Sequence, residues 1–204
     1  MKTEIIPSII AKNQKEFNKI YNKIKIAKTI HLDVMDGRFV KKKSMWFDFK
    51  LPKHNFEAHL MTTKPETFIE RYHNKIKKFI VHVETVNNPD YLIKYARKLK
   101  SKIFFALEPK TPVSKIKNYL NKIDGVMIMT VEIGSYGAKF IPNMINKIKQ
   151  LRKLNKKLVI SADGSVNEKT IKLLKKAGAS TFSVGSYIQK SRNAKKSIEV
   201  LTRI

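Results

Sequence analysis

"HLDVMDGRFV", residues 31–40, sets charged and metal-ligating groups inside an otherwise apolar run. Leu32, Val34 and Met35 read as core. His31 and Asp33 share one face of the strand, because side chains two apart in a strand point the same way. A buried strand that ends in an imidazole and a carboxylate on one face asks for a fold that collects reacting groups at strand ends.

On either side of that strand, apolar strand-like segments alternate with amphipathic runs along the chain. The strands are expected at 4–9, 29–34, 56–61, 78–83, 102–107, 125–130, 158–163 and 180–185. Between them, 13–27, 65–74, 89–100, 112–122, 141–155 and 167–177 carry apolar residues at three- and four-residue spacing, which predicts helices. Pro65, Pro89, Pro112 and Pro142 are start signals, and Gly178 is a stop signal. Eight strands separated by helices predict an α/β protein, a compact closed parallel (β/α)8 or TIM barrel formed by residues 1–204 as a single domain. The stretch 38–55 holds no convincing long helix, so the crossover between the second and third strands is expected to be abbreviated.

At 204 residues the chain can bury one full core, and 42% hydrophobic residues suit a globular enzyme. No cysteine is present, which excludes disulfides, a thiolate nucleophile and cysteine-ligated metal. No apolar run approaches the roughly 18 residues of a membrane span. The N-terminal segment is broken by Pro7 and does not read as a cleaved signal peptide. A cytoplasmic location is expected. The formal net charge of +27 points toward polyanions. In "MINKIKQLRKL" (144–154) and "TIKLLKKAG" (170–178), however, the lysines alternate with Ile and Leu and fall on solvated helix faces. Only Lys41–Lys43 form a tight run.

In a barrel of this kind the chemistry sits at the C-terminal strand ends and the loops after them. His31, Asp33, His59 and Asp163 all fall there. Two imidazoles and two carboxylates around one mouth make a nitrogen and oxygen site for a divalent cation. His82 and Glu84, near the end of the fourth strand, are expected to support the site by hydrogen bonding, and Asp36 and Gly37 to shape a turn.

A resemblance adds to this reading. "HLDVMDGRFV", "AHLM", "VHVET", "LEPKTPV", "MIMTVEIGSYGAKFIPNM", "ISADGSVNEKT" and "AGASTFSVGSYI" run in order. Together they closely resemble the ribulose-phosphate 3-epimerase family, which includes allulose-6-phosphate 3-epimerases. The resemblance implies that His31, Asp33, His59 and Asp163 bind one divalent metal ion, zinc ahead of iron(II), manganese or cobalt. It also implies that Asp33 and Asp163 are the two acid/base groups of a C3 epimerisation passing through an enediolate. Ser8, His59, Gly137, Gly164, Ser165, Gly185 and Ser186 would bind the sugar phosphate, and Met35, Met61 and Met129 would line the pocket. The expected partners are the substrate and further copies of the chain in a homo-oligomer, with no specific nucleic acid and no membrane.

The sequence departs from the family pattern at three places. Lys41-Lys42 stand where a Pro-Asn pair is usual. "IGSYGA" (133–138) replaces Pro-Gly-Phe-Gly-Gly-Gln in a loop that covers the substrate, so less complete closure is expected. "DGS" (163–165) replaces Asp-Gly-Gly. Ribulose 5-phosphate is the expected substrate of the pentose phosphate pathway, and allulose 6-phosphate the alternative. A basic polyanion-binding protein on a decayed epimerase barrel is the competitor from another class.

Overall fold

The computed structural model describes residues 3–134 and 137–204. Nine strands form: β1 (Glu4–Ile9), β2 (Thr29–Asp36), β3 (Lys43–Ser44), β4 (Asn55–Met61), β5 (Lys78–His82), β6 (Lys102–Leu107), β7 (Gly125–Met129), β8 (Ile160–Asp163) and β9 (Thr181–Val184). All but β3 are parallel, and β1 pairs with both β2 and β9, so eight strands close on themselves. The result is a (β/α)8 barrel with one extra strand. That strand, β3, runs antiparallel to the end of β2, with Met35 opposite Ser44 and Asp36 opposite Lys43. It occupies the helix-free crossover expected at 38–55 and is tied to the end of β1 by the Met45 N–H to Ala11 carbonyl bond of 2.8 Å.

The alternation within each strand builds two cores. Ile30, Leu32, Val34, Ala58, Leu60, Phe79, Val81, Ile103 and Phe105 point outward against the helices. Ile80, Phe104, Ala106, Met127 and Met129 pack inside the barrel. Both faces of each strand are therefore buried, as parallel sheets flanked by helices require.

The outer layer consists of α1 (Gln14–Ile24), α2 (Pro65–Tyr72), α3 (Pro89–Lys98), α4 (Met144–Leu154), α5 (Glu168–Ala177), α6 (Ser186–Lys190) and α7 (Ala194–Arg203). Asparagine caps four of them: Asn13, Asn88, Asn167 and Asn193 each accept from a backbone N–H in the first turn. Pro65 and Pro89 open α2 and α3 as expected. Gly178 ends α5 with φ +115°, its N–H satisfying the carbonyls of Leu174 and Lys175. Lys15, Lys19, Lys149, Lys153, Lys172 and Lys176 lie exposed on the outer helix faces.

One expected helix is different. The run at 112–122 forms a 3-10 segment, Val113–Tyr119, rather than an α-helix. Its apolar positions Val113, Ile116 and Tyr119 are three apart, a spacing that three residues per turn stacks directly above one another.

Candidate active site and metal centre

The inward-facing residues of β2 and β4 carry the site. His31, Asp33 and Met35 alternate along β2, while Glu57, His59 and Met61 alternate along β4, and the register sets Asp33 opposite His59. Asp163 ends β8. His31 and His59 have no solvent exposure, so their rings lie beneath the mouth of the barrel.

Distances are tight around one point. Asp33 Oδ1 lies 3.3 Å from His31 Nε2 and 3.4 Å from His59 Nδ1. Asp163 Oδ2 lies 3.3 Å from the same His59 Nδ1. One ligand atom from each of the four residues falls within 4.8 Å of all the others. His31 Nε2 and His59 Nδ1 are buried with no hydrogen-bond partner of good geometry. Two buried ring nitrogens left in this way beside two carboxylates call for a shared partner, and a cation is one that satisfies all four. Zinc–nitrogen bonds of about 2.0–2.1 Å in a tetrahedron set neighbouring ligand atoms about 3.3 Å apart. The three spacings of 3.3 to 3.4 Å match that edge, and the nitrogen and oxygen donors suit a divalent cation. The four residues fit one metal ion.

The electrostatics agree. Burial alone would lower the pKa of His31, but the Asp33 and Glu57 carboxylates outweigh it and push it up to about 10. His59 is likewise raised against burial, by the adjacent carboxylates of Asp163 and Asp33. Burial pushes the Asp33 carboxyl up, yet the adjacent imidazoles of His31 and His59 hold it below its usual range. The cage demands positive charge, and a cation entering it displaces protons.

A supporting layer orients both histidines. His31 Nδ1 lies 2.6 Å from Glu57 Oε1, and Glu57 Oε2 lies 2.7 Å from Lys78 Nζ. His59 Nε2 lies 2.9 Å from His82 Nε2, and His82 Nδ1 faces Glu84 Oε2 at 3.4 Å. Burial holds His82 down at about 4, so the ring is neutral. His82 and Glu84 are therefore where supporting groups were expected. Glu57 was not anticipated, although an acid two residues before His59 in a buried strand must share its inward face. Ser183, whose Oγ lies 3.2 Å from His31 Nδ1, was also missed. A lone serine in an apolar strand carries no signal.

Above the cage lies a cleft open to solvent. Ser8, Asp33, Met35, Met61, Met129, Gly137, Asp163, Gly164, Ser165, Gly185 and Ser186 all line it. Every site residue expected from the sequence thus lies in the cleft or, for His31 and His59, directly beneath it. Val131, Glu132 and Ile133 complete one wall and were not foreseen. Asp36 shapes its turn as expected: Oδ1 accepts from the Arg38 and Phe39 N–H groups, and Oδ2 from the Thr63 N–H and hydroxyl. Gly37 has φ +78°. The two carboxylates are less far apart than opposite sides of the barrel would set them. Their strands are separated only by β9 and β1, three places around a ring of eight. Ser135 and Tyr136, on which the loop-closure expectation rests, lie outside the described residues.

Residues 4–189 match the model of the ribulose-phosphate 3 epimerase family. The chain belongs to the ribulose-phosphate 3-epimerase family. A ribulose-phosphate 3-epimerase of Bacillus subtilis is 30% identical over 211 residues, covering 96% of both chains. The Schizosaccharomyces pombe ribulose-phosphate 3-epimerase is 32% identical, covering 78% of this chain and 74% of its own. This family membership makes the chain an isomerase acting on carbohydrates, with a sugar phosphate as the class of substrate. Among solved structures, that of 3-keto-L-gulonate-6-phosphate decarboxylase from Vibrio cholerae superposes with TM-score 0.71 at 14% identity, covering 100% of this chain and 97% of that one. A 3-hexulose-6-phosphate synthase superposes with TM-score 0.66 at 14% identity, covering 100% and 99%. At that identity the two share the barrel fold with this chain. Among the described residues, no helix is long and apolar enough to cross a membrane.

Proposed function

We propose that the chain interconverts D-ribulose 5-phosphate and D-xylulose 5-phosphate by proton transfer between Asp33, Asp163 and C3. The observation that carries this reading is the convergence of both carboxylates on His59 Nδ1 at the floor of the cleft. One carboxylate takes the C3 proton from one face, and the C3–H electrons pass into the C2 carbonyl, giving an enediolate. The other carboxylate returns a proton to C3 from the opposite face, and the C2 carbonyl reforms. No redox cofactor is needed, because the electrons never leave the sugar.

His31, Asp33, His59 and Asp163 would hold one divalent ion, zinc or else iron(II), manganese or cobalt. When bound, such an ion supplies Lewis-acid stabilisation of the negative charge that develops on the substrate oxygens. The side chains of Met35, Met61 and Met129 close the cleft with apolar, polarizable surface and keep water from the planar intermediate. Gly164, Ser165, Gly185 and Ser186 follow β8 and β9, the loops where barrels of this kind bind phosphate. Ser8 and Gly137 complete the sugar contacts.

The relatives' names favour the pentulose phosphate, and Ser165 after Asp163-Gly164 is the feature that speaks for a six-carbon ketose phosphate. A coupled assay with ribulose 5-phosphate and allulose 6-phosphate, with and without added divalent metal, decides between them. Higher kcat/KM on ribulose 5-phosphate is the expected result. A preference for allulose 6-phosphate would overturn the substrate assignment. Turnover of neither, with polyanion binding intact, would favour the decayed barrel.

A further inference from the structure

His31 and His59 meet carboxylates by routes of different length. His31 reaches Glu57 directly, at 2.6 Å. His59 reaches Glu84 through a second imidazole, that of His82. The Nε2 atoms of His59 and His82 are 2.9 Å apart and both rings are fully buried, so a hydrogen bond between them holds one hydrogen between those two atoms. In the neutral form that a metal ligand must take, each ring has only one hydrogen to place.

That hydrogen has two possible owners. If His82 donates it, His59 must carry its own hydrogen on Nδ1, aimed at Asp33 and Asp163, and the metal position is closed by a proton. His82 would then turn a bare Nδ1 lone pair toward the Glu84 carboxylate, which is repulsive. If His59 donates it, His59 Nδ1 is bare and faces Asp33 Oδ1 and Asp163 Oδ2, as a metal ligand must. His82 then carries its hydrogen on Nδ1, facing Glu84 Oε2 at 3.4 Å. Glu84 is steadied for this by the Glu108 N–H, which donates to its Oε1 at 3.0 Å.

We propose that His82 and Glu84 are positioning residues, a relay that fixes the His59 tautomer with its Nδ1 lone pair free for the metal ion. This inference rests on the metal-centred reading of the site given above. Outer partners of this kind set ring orientation and raise ligand basicity. The relay also decides a competing use of the same groups. His82 Nδ1, Glu84 and Glu108 are close enough together to hold a cation of their own. A metal on His82 Nδ1 would leave that ring's only hydrogen on Nε2, force His59 into the wrong tautomer and empty the first site. One nitrogen cannot carry both the proton and the ion.

The test uses the full chain and zinc alone. In the zinc-loaded protein, long-range proton–nitrogen NMR should find the hydrogen of His59 on Nε2 and that of His82 on Nδ1. In chelator competition, Glu84→Gln and His82→Leu should each weaken zinc binding about 10- to 100-fold. His82→Gln, whose carbonyl oxygen can accept from His59 Nε2, should regain part of the loss, which a purely structural role for His82 would not produce. Glu108→Gln should bind zinc within about twofold of the native chain. A bare His82 Nδ1 in the native spectrum overturns the relay whether or not the variants fold. So do native zinc affinity in both Glu84→Gln and His82→Leu, and a second zinc lost in Glu108→Gln. A native chain that binds no zinc, or that keeps its zinc in His59→Ala, refutes the metal-centred reading itself and the relay with it.

Discussion

His31 Nδ1 lies 2.6 Å from Glu57 Oε1, and neither side chain has more than 1% of its surface exposed. The other oxygen of Glu57 meets Lys78 Nζ, which also sits 4.1 Å from the centre of the Phe104 ring. A short string of charges therefore runs along the barrel interior from Lys78 at the N-terminal end of β5 to the metal cage.

This string has a pH signature. Burial would raise the Glu57 pKa, but Lys78 and then His31 outweigh it and hold it at about 2. A carboxyl lowered on folding contributes stability that is present above its unfolded value, about 4.3, and lost as pH falls toward 2. His31 has the opposite sign in the metal-free protein. Its raised pKa contributes stability below about 6.5 that is lost as pH climbs through about 10. Urea unfolding of chelator-treated protein should show Glu57→Gln destabilised at pH 7 by about 3 kcal/mol, because a largely buried Lys78 loses its partner. The gap to the native chain should narrow between pH 4.5 and 2. A gap of constant size would mean that Glu57 is not ionised in the fold.

The cage makes a prediction about composition. Purified protein should carry about one divalent ion per chain by elemental analysis, and His31→Ala or His59→Ala should lose it while keeping the circular dichroism of the barrel. Fully active protein free of metal would rule the cage out as a metal centre.

The barrel was legible because its strands are buried on both faces and separated by amphipathic runs with proline and glycine punctuation. The cage was legible because imidazoles and carboxylates in apolar strand ends are costly unless used. Other features carried no comparable mark. The 3-10 segment Val113–Tyr119 has apolar spacings that serve either helix type, and only packing chooses between them. The His59–His82 contact joins adjacent strands through side chains whose meeting depends on register, which sequence periodicity does not set. Glu57 was readable in principle, since it shares a face with His59, but an acid in "NFEAHLM" looks like any strand-edge charge until its neighbours are known.

The turn after β8 offers a test independent of metal. Gly164 has φ +111°, and a Cβ there would stand 2.5 Å from Val131 Cγ2. Backbone strain of about 1–3 kcal/mol and overpacking of about 1–3 kcal/mol both follow from Gly164→Ala. The variant should lose roughly 2–6 kcal/mol in chemical denaturation. Adding Val131→Ala should recover only the packing share, because the dihedral is unchanged. Recovery to native stability would show that backbone strain at Gly164 is negligible. With Gly164 in the proposed phosphate loop, KM for the sugar phosphate should rise more than kcat falls.

The two carboxylates carry the sharpest prediction. Asp33 and Asp163 both approach His59 Nδ1, yet they come from strands three places apart, so each can address C3 from its own side. Asn keeps the shape of either residue and removes its capacity to take a proton. Asp33→Asn and Asp163→Asn should each lower kcat by about 10²–10⁴-fold, the usual contribution of a positioned acid or base. Because each is also a cage ligand, metal content must be measured beside activity, and the prediction applies to variants that retain the ion. Isotope exchange separates the two roles. In deuterated water the native enzyme should place solvent deuterium at C3 of the product, since the proton returned to one face is not the one removed from the other. A variant lacking one carboxylate but keeping its metal should still exchange the C3 proton of the one epimer that the remaining carboxylate can reach, without forming the other. Epimerisation with full retention of the original hydrogen at C3 would exclude two exchanging bases. Exchange of both epimers by a single-carboxylate variant would assign the second proton transfer to another group.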